Sequence, residues 1–240
     1  MPRMYKRFQP KYYGENKYER KTLDKHGREV VKPMEKEDFE EMCRLCLVKR
    51  DEYLNKYNST QNKALQKRYW KKYYVWYRNY IILIIGVNTG CRIETICEMI
   101  PRDFAGGKYT ITEHKTGKRQ QYSLNEDVYK ILKKYVEEFS FTNNDFIFKE
   151  SPDTKDAIVR QTPWHVIKKL ANEVGIEYMV GTHSLRKSYA RWKWDETKDL
   201  LLVQSLLMHN SSEETMRYIC LEGHDVEEAR SQIRNIPKYE

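Results

Sequence analysis

Residues 108–124 read KYTITEHKTGKRQQYSL, and here a helical spacing gives way to a different period. KYTITEH and RQQYSL alternate as half-buried strands do, and the KTGK between them supplies a glycine for a tight turn. The stretch predicts an antiparallel β-hairpin with Lys115 at its tip. Outward from it the pattern is helical. EDFEEMCRLCLVKRDEYL places Phe39, Met42, Cys43, Cys46 and Leu47 on one face, with EKED at 35–38 and Pro33 upstream marking a helix start. KALQKRYWKKYYVWYRNYIILIIGVN forms a second helix after the break at 58–60, and TGCRIETICEMIP turns into a short one. Helices return at about 125–139 and 162–174, with FIFK at 146–149 as a short extended piece between them. Further helices are expected at about 183–194, in DLLLVQSLLMH, in SEETMRYI and at about 225–235. The fold class is mainly α (α+β), with one small antiparallel sheet.

The charge is unevenly spread. Residues 1–33 hold ten Lys/Arg against four Asp/Glu, whereas the remaining residues hold 34 against 31. This divides the chain into a basic N-terminal arm, 1–33, and a nearly balanced domain, 34–240, and it suits a polyanionic partner, nucleic acid first. Residues 63–78 interleave six Lys/Arg with six aromatics. That pattern fits a nucleic-acid face or, more commonly, an amphipathic helix with its rings in the core. The longest apolar run, IILIIGV at 81–87, falls far short of the roughly 20 residues that span a bilayer. With no apolar stretch in MPRMYKRFQPKYY, a soluble cytoplasmic protein without membrane contact is expected. Of the five cysteines only Cys43 and Cys46 have C-x-x-C spacing, and they sit in a helical pattern without a second pair. Buried reduced thiols are expected there rather than a metal site.

No phosphate-binding loop, dinucleotide fingerprint or H-E-x-x-H is present. What stands out is a set of basic residues at ordered positions. Arg92 follows a TGC turn, Lys115 lies at the hairpin tip, and His183 and Arg186 share a helix face at i, i+3. His209 follows an apolar helix, and Tyr218 comes nine residues later, one tyrosine among 19. Each signal alone is weak, since a lone Arg is usually a surface residue and a lone His a structural one.

Taken in order, T-G-C-R-I-E, K-T-G-K, H-S-L-R and M-H-N-S-S with its tyrosine resemble the tyrosine recombinase (phage integrase) family, over roughly residues 34–235. The resemblance implies that family's catalytic fold and a site-specific DNA recombinase, an integrase or invertase. It matches Arg92 and Arg186 to the phosphate-binding arginines, Lys115 to the general acid and His183 to a proton-transfer residue. His209 matches a phosphate ligand and Tyr218 the nucleophile that forms a 3′-phosphotyrosyl bond. Lys118, Arg119, Lys187 and Arg191 are the candidate DNA contacts. The chemistry is consistent: two guanidiniums neutralise the charge that builds on a phosphodiester under attack, and cations near a phenol favour its ionised form. The linkage energy is conserved in the phosphotyrosine, so neither metal nor cofactor is implied. The implied partners are double-stranded DNA, a homo-tetramer on two sites joined through the C-terminal helix, and accessory DNA-bending proteins. Length places the chain with small invertase-like members, encoded by prokaryotes, phage or mobile elements. Two departures stand out. Thr95 occupies the position three after Arg92 where an acidic residue is common, with Glu94 one earlier, and Met208 stands where Gly commonly precedes the second histidine. A DNA-binding protein of the same fold without catalysis, and a type IB-like topoisomerase, are the alternatives.

Overall fold

The computed structural model describes residues 30–112, 117 and 119–219. Eight helices and one hairpin make up these residues. α1 (Lys36–Ser59) opens on the acidic Glu37 and Asp38 and buries Phe39, Met42, Cys43 and Cys46. Burial pushes the Cys43 thiol up to about 12 and that of Cys46 higher still, so both stay protonated. α2 (Lys63–Thr89) starts where the Asn62 side chain accepts from the amides of Ala64 and Leu65, at 3.0 and 3.2 Å. With 27 residues it is about 40 Å long. The three residues between α1 and α2 fold them back on each other, and theirs is the largest interface between elements. No described helix is long and apolar enough to cross a membrane.

The aromatics of α2 belong to the core. Tyr73, Tyr74 and Tyr77 are buried, and with Trp70 they pack on Tyr135, Phe139 and Phe141. Tyr74 meets Phe139 edge-on at 4.9 Å, a favoured ring geometry. Their hydroxyls are not wasted in that core. Tyr74 accepts from the Lys149 amide at 2.8 Å, Tyr135 donates to the Ile147 carbonyl at 2.9 Å, and Arg78, 2% exposed, donates to the Lys149 carbonyl at 2.6 Å. These bonds fix the 146–149 segment, which makes only a single bridge, Lys149 to Ala157, rather than a strand. The cations of the same sequence stretch, Lys63, Lys67, Arg68 and Lys71, face solvent.

α3 (Ile93–Cys97) and a short 3-10 turn (Pro101–Gly107) lead into the hairpin. β1 (Lys108–Thr112) pairs antiparallel with β2 (Arg119–Ser123), in a register that sets Lys108 opposite Ser123 and Thr112 opposite Arg119. Residues 113–116 and 118, including Lys115 and Lys118, lie outside the described residues, as do 1–29 of the arm and the helix expected at 225–235. α4 (Glu126–Glu138), α5 (Gln161–Val174), α6 (Thr182–Thr197), α7 (Leu200–Leu207) and α8 (Ser212–Ile219) follow. Val31–Pro33, which the charge pattern groups with the arm, lie against the helices: the Lys32 amide donates to the Met179 carbonyl at 2.9 Å. The next residue, Met34, donates its amide to Ser188 Oγ at 2.7 Å.

α6 crosses α2 at Gly86, where a Cβ would stand 2.6 Å from Leu185 Cδ1 and 2.9 Å from its Cβ. That approach sets how deeply α6 enters the molecule. Gly86→Val is therefore expected to lower stability by about 2 kcal/mol or more through overpacking, against a helix-propensity gain of well under 1 kcal/mol. Chemical denaturation would measure it, and an unchanged midpoint would contradict the close packing.

Candidate active site

The site begins where α2 stops. Gly90 caps the helix at φ 63°, and a side chain there would meet the Tyr189 ring at 2.4 Å, so only glycine fits the turn. Thr89 Oγ1 donates to the Ile85 carbonyl and accepts from the Cys91 amide, tightening the reversal. Arg92 then takes the extended N-cap position of α3.

α6 is the second support. The Gly181 amide is met by Ser184 Oγ at 3.1 Å, and His183, Arg186 and Lys187 follow within its first two turns. Arg186 is 4% exposed. Its Nη1 donates to the Gly90 carbonyl at 2.7 Å and its Nη2 to the Leu207 carbonyl at 2.6 Å. One guanidinium thus satisfies a carbonyl at the end of α2 and another at the end of α7. Past Leu207 the chain reverses at Met208, which holds a left-handed φ of 55°. The position where the resemblance expects Gly is thus one whose backbone favours Gly, and Met208 occupies it with strain.

The reversal delivers His209 to α8. His209 Nδ1 is 3.1 Å from Thr215 Oγ1, and Nε2 is 3.7 Å from Glu214 Oε1. Tyr218, one turn further along α8, sets its ring against His209 at 4.6 Å and 62°. The Arg186 guanidinium carbon lies 5.8 Å from the centre of the Tyr218 ring and Lys187 Nζ 5.9 Å. Arg92 is within electrostatic reach of both histidines. Partial desolvation holds the His183 imidazole below its usual value, with Glu94 opposing and Lys187, Arg186 and Arg92 reinforcing the shift. Burial lowers His209 to about 4, Glu214 again opposing and Arg186, Arg92 and Arg217 reinforcing. Both rings are neutral at pH 7 in the empty site.

Arg92, His183, Arg186, His209 and Tyr218 are therefore gathered by three turns and two helices. The four candidate DNA contacts fare differently. Lys187 is buried, with Nζ donating to the Val31 carbonyl at 2.7 Å, because it points inward beside Arg186 rather than onto open surface. Arg191 Nε is paired with Asp195 one turn along at 3.0 Å. Arg119 sits in β2, and Lys118 lies outside the described residues. Glu94 is on the surface, 3.5 Å from Arg160 Nη1. Sequence reasoning passed over Thr215 and Glu214, whose signal was their i, i+3 and i, i+4 spacing to Tyr218 on one helix.

The sequence matches the model of the phage integrase family over residues 62–223. The chain belongs to that family. It is 31% identical over 143 residues to the probable integrase/recombinase YoeC of Bacillus subtilis (strain 168), an alignment covering 59% of this chain and 77% of YoeC. With the tyrosine recombinase XerA of Thermococcus onnurineus (strain NA1) it shares 23% over 161 residues, 66% of this chain but only 56% of XerA. In fold it is similar to a crystal structure of XerA recombinase, with a TM-score of 0.64 at 19% identity over 88% of this chain and 68% of that one. A similar likeness holds to XerH site-specific recombinase bound to palindromic difH substrate, in a post-cleavage complex: TM-score 0.61, 22% identity, 92% of this chain and 58% of that one.

Replacing Arg186 by Lys keeps the charge but removes the fork, leaving at least one of two buried carbonyls without its donor. A loss of about 2 kcal/mol or more is expected. Thermal unfolding would read it, and an unaltered midpoint would show that Arg186 is not what joins the two turns.

Proposed function

We propose that this family member is a site-specific DNA recombinase that cuts and rejoins duplex DNA through a 3′-phosphotyrosyl bond at Tyr218. The observation behind this is the approach of one tyrosine ring to a guanidinium, an ammonium and a neutral imidazole within 6 Å, in a site where Arg92 also reaches the histidines. The scissile phosphate is held by Arg92 and Arg186. Tyr218 Oη attacks phosphorus, the P–O5′ bond breaks, and the phenolic proton passes to the neutral His183. The departing 5′ oxygen takes its proton from Lys115, as the family resemblance implies. Reversal of these steps with a new 5′ hydroxyl joins the strands. Phosphate charge is met by side chains throughout. A tetramer on two DNA sites, assisted by DNA-bending proteins in a prokaryotic or mobile-element setting, completes the reading.

Nicked duplexes drawn from the DNA flanking the protein's own coding sequence provide the test. A nick beside the cleavage point lets the short 5′-hydroxyl strand diffuse away, trapping the covalent complex. A protein–DNA adduct on a denaturing gel, lost in Tyr218→Phe, is the expected result. Retarded DNA with no adduct would favour a binding protein that has lost catalysis.

DNA is also expected to meet a second surface. Lys49 of α1, Arg68, Lys71 and Lys72 of α2, and Lys169 of α5 line a groove of about 610 Å³, with Glu173 as the carboxylate of that lining. Lys71 lies 19 residues before Gly90, roughly 28 Å up α2 from the site, a distance suited to a flanking stretch of backbone. Lys71→Ala with Lys169→Ala should reduce the slope of log affinity against log salt by about 1–2, since each phosphate contact contributes about 0.9. Deleting residues 1–29 should flatten it further. An unchanged slope in both variants would remove the groove and the arm from the DNA interface.

A further inference from the structure

The environment of His209 holds an unbalanced proton acceptor. Thr215 Oγ1 is 3.3 Å from the Ser211 carbonyl and 3.1 Å from His209 Nδ1; with its proton on the Ser211 carbonyl it faces Nδ1 with a lone pair and accepts the Nδ1 proton. In a neutral ring that leaves Nε2 as a bare lone pair. Nε2 is buried and makes no hydrogen bond among the described residues. Its near neighbour is the Glu214 carboxylate, whose Oε1 at 3.7 Å is too far for a hydrogen bond and close enough for a charge interaction. Glu214 and Tyr218 are i, i+4 on α8, so the carboxylate lies one turn before the nucleophile on the same face.

Two sets of charges oppose each other at this nitrogen. Glu214 favours a proton on His209. Burial disfavours it most, and Arg186 from α6, Arg92 from the start of α3 and Arg217 from α8 add to that, while the Tyr218 ring packs alongside. Without a bound anion burial prevails, and the arginines add to it. An anion bound by Arg92 and Arg186 offsets the arginines' share of that opposition and adds its own negative charge to that of Glu214, leaving burial as the opposing effect.

We propose that Glu214 is a positioning residue that makes anion binding in this site draw a proton from solvent onto His209 Nε2. The proton comes from water or buffer, and no other bond is made or broken. The imidazolium then keeps Nδ1–H on Thr215 and presents Nε2–H to the phosphate. His209 thus becomes a phosphate ligand when a phosphate is present, and a neutral ring otherwise. This rests on His209 being the phosphate ligand of the recombinase reading. The sign follows directly. The folded-state proton affinity rises on anion binding, so binding strengthens as pH falls from the anion-bound value to the anion-free value of about 4.

The imidazole nitrogens of His209 in the full-length ¹⁵N-labelled protein report this directly. They would be followed from pH 5 to 8 in sodium sulfate and in sodium chloride of equal ionic strength. In chloride the ring should stay neutral with the proton on Nδ1. In sulfate its proton affinity should rise by about tenfold or more, equal to one pH unit. Glu214→Gln should remove most of that gain and Glu214→Asp should restore part of it, both with unchanged thermal midpoints. A ring that stays neutral at pH 5 in saturating sulfate, a neutral ring with its proton on Nε2, or an equal response in Glu214→Gln would each overturn the proposal. Loss of the covalent adduct with this response intact would instead count against the recombinase reading.

Discussion

The two hydrogen bonds of Arg186 hold the site in register. Helix ends leave carbonyls without partners, and here two such ends, of α2 and α7, converge on one side chain. A buried guanidinium needs acceptors as much as the carbonyls need donors, so the charge is tolerated at 4% exposure because both requirements are met together. The consequence is geometric. The turn that carries Arg92 and the turn that carries His209 are separated by more than a hundred residues, yet both are referenced to the same planar fork. A residue expected only to bind phosphate also holds together the turns that carry Arg92 and His209.

Tyr218 depends on that frame through a second tier. α8 has only eight residues, too few to stand alone, and it is held by Ile219 in a small cluster with Tyr189, Val203 and Leu207, and by the contact of His209 with Thr215. Tyr218 is thus located by a ring contact with His209, which in turn follows the Met208 reversal. Its cations come from α6: Arg186, already committed to the frame, and Lys187, whose ammonium is steadied by the Val31 carbonyl. Val31 is thereby tied to the helix whose Arg186 and Lys187 face the Tyr218 ring.

Much of this was legible in the residues. The alternation at 108–124 gave the hairpin, and the apolar spacing gave the helices. The aromatics of 63–78 fit either a nucleic-acid face or, more commonly, a core-facing helix, and the structure buries Tyr73, Tyr74 and Tyr77. What escaped depends on long-range partners. Nothing local distinguishes Lys187, turned inward onto Val31, from Arg191, paired on the surface of the same helix. Arg78 reads as one more cation of a basic helix, although it serves the buried carbonyl of Lys149. Met208 reads as a departure from a glycine until its left-handed backbone explains why glycine would suit. Glu214 gains meaning only once His209 is seen to face it.

The central claim is that one tyrosine among 19 in this chain becomes covalently joined to DNA. Peptide mapping by mass spectrometry of the trapped adduct, after protease and nuclease digestion, reads the attachment point directly. The account predicts a 3′-phosphonucleotide on the peptide containing Tyr218 and on no other tyrosine. A covalent nucleotide on any other residue would contradict it.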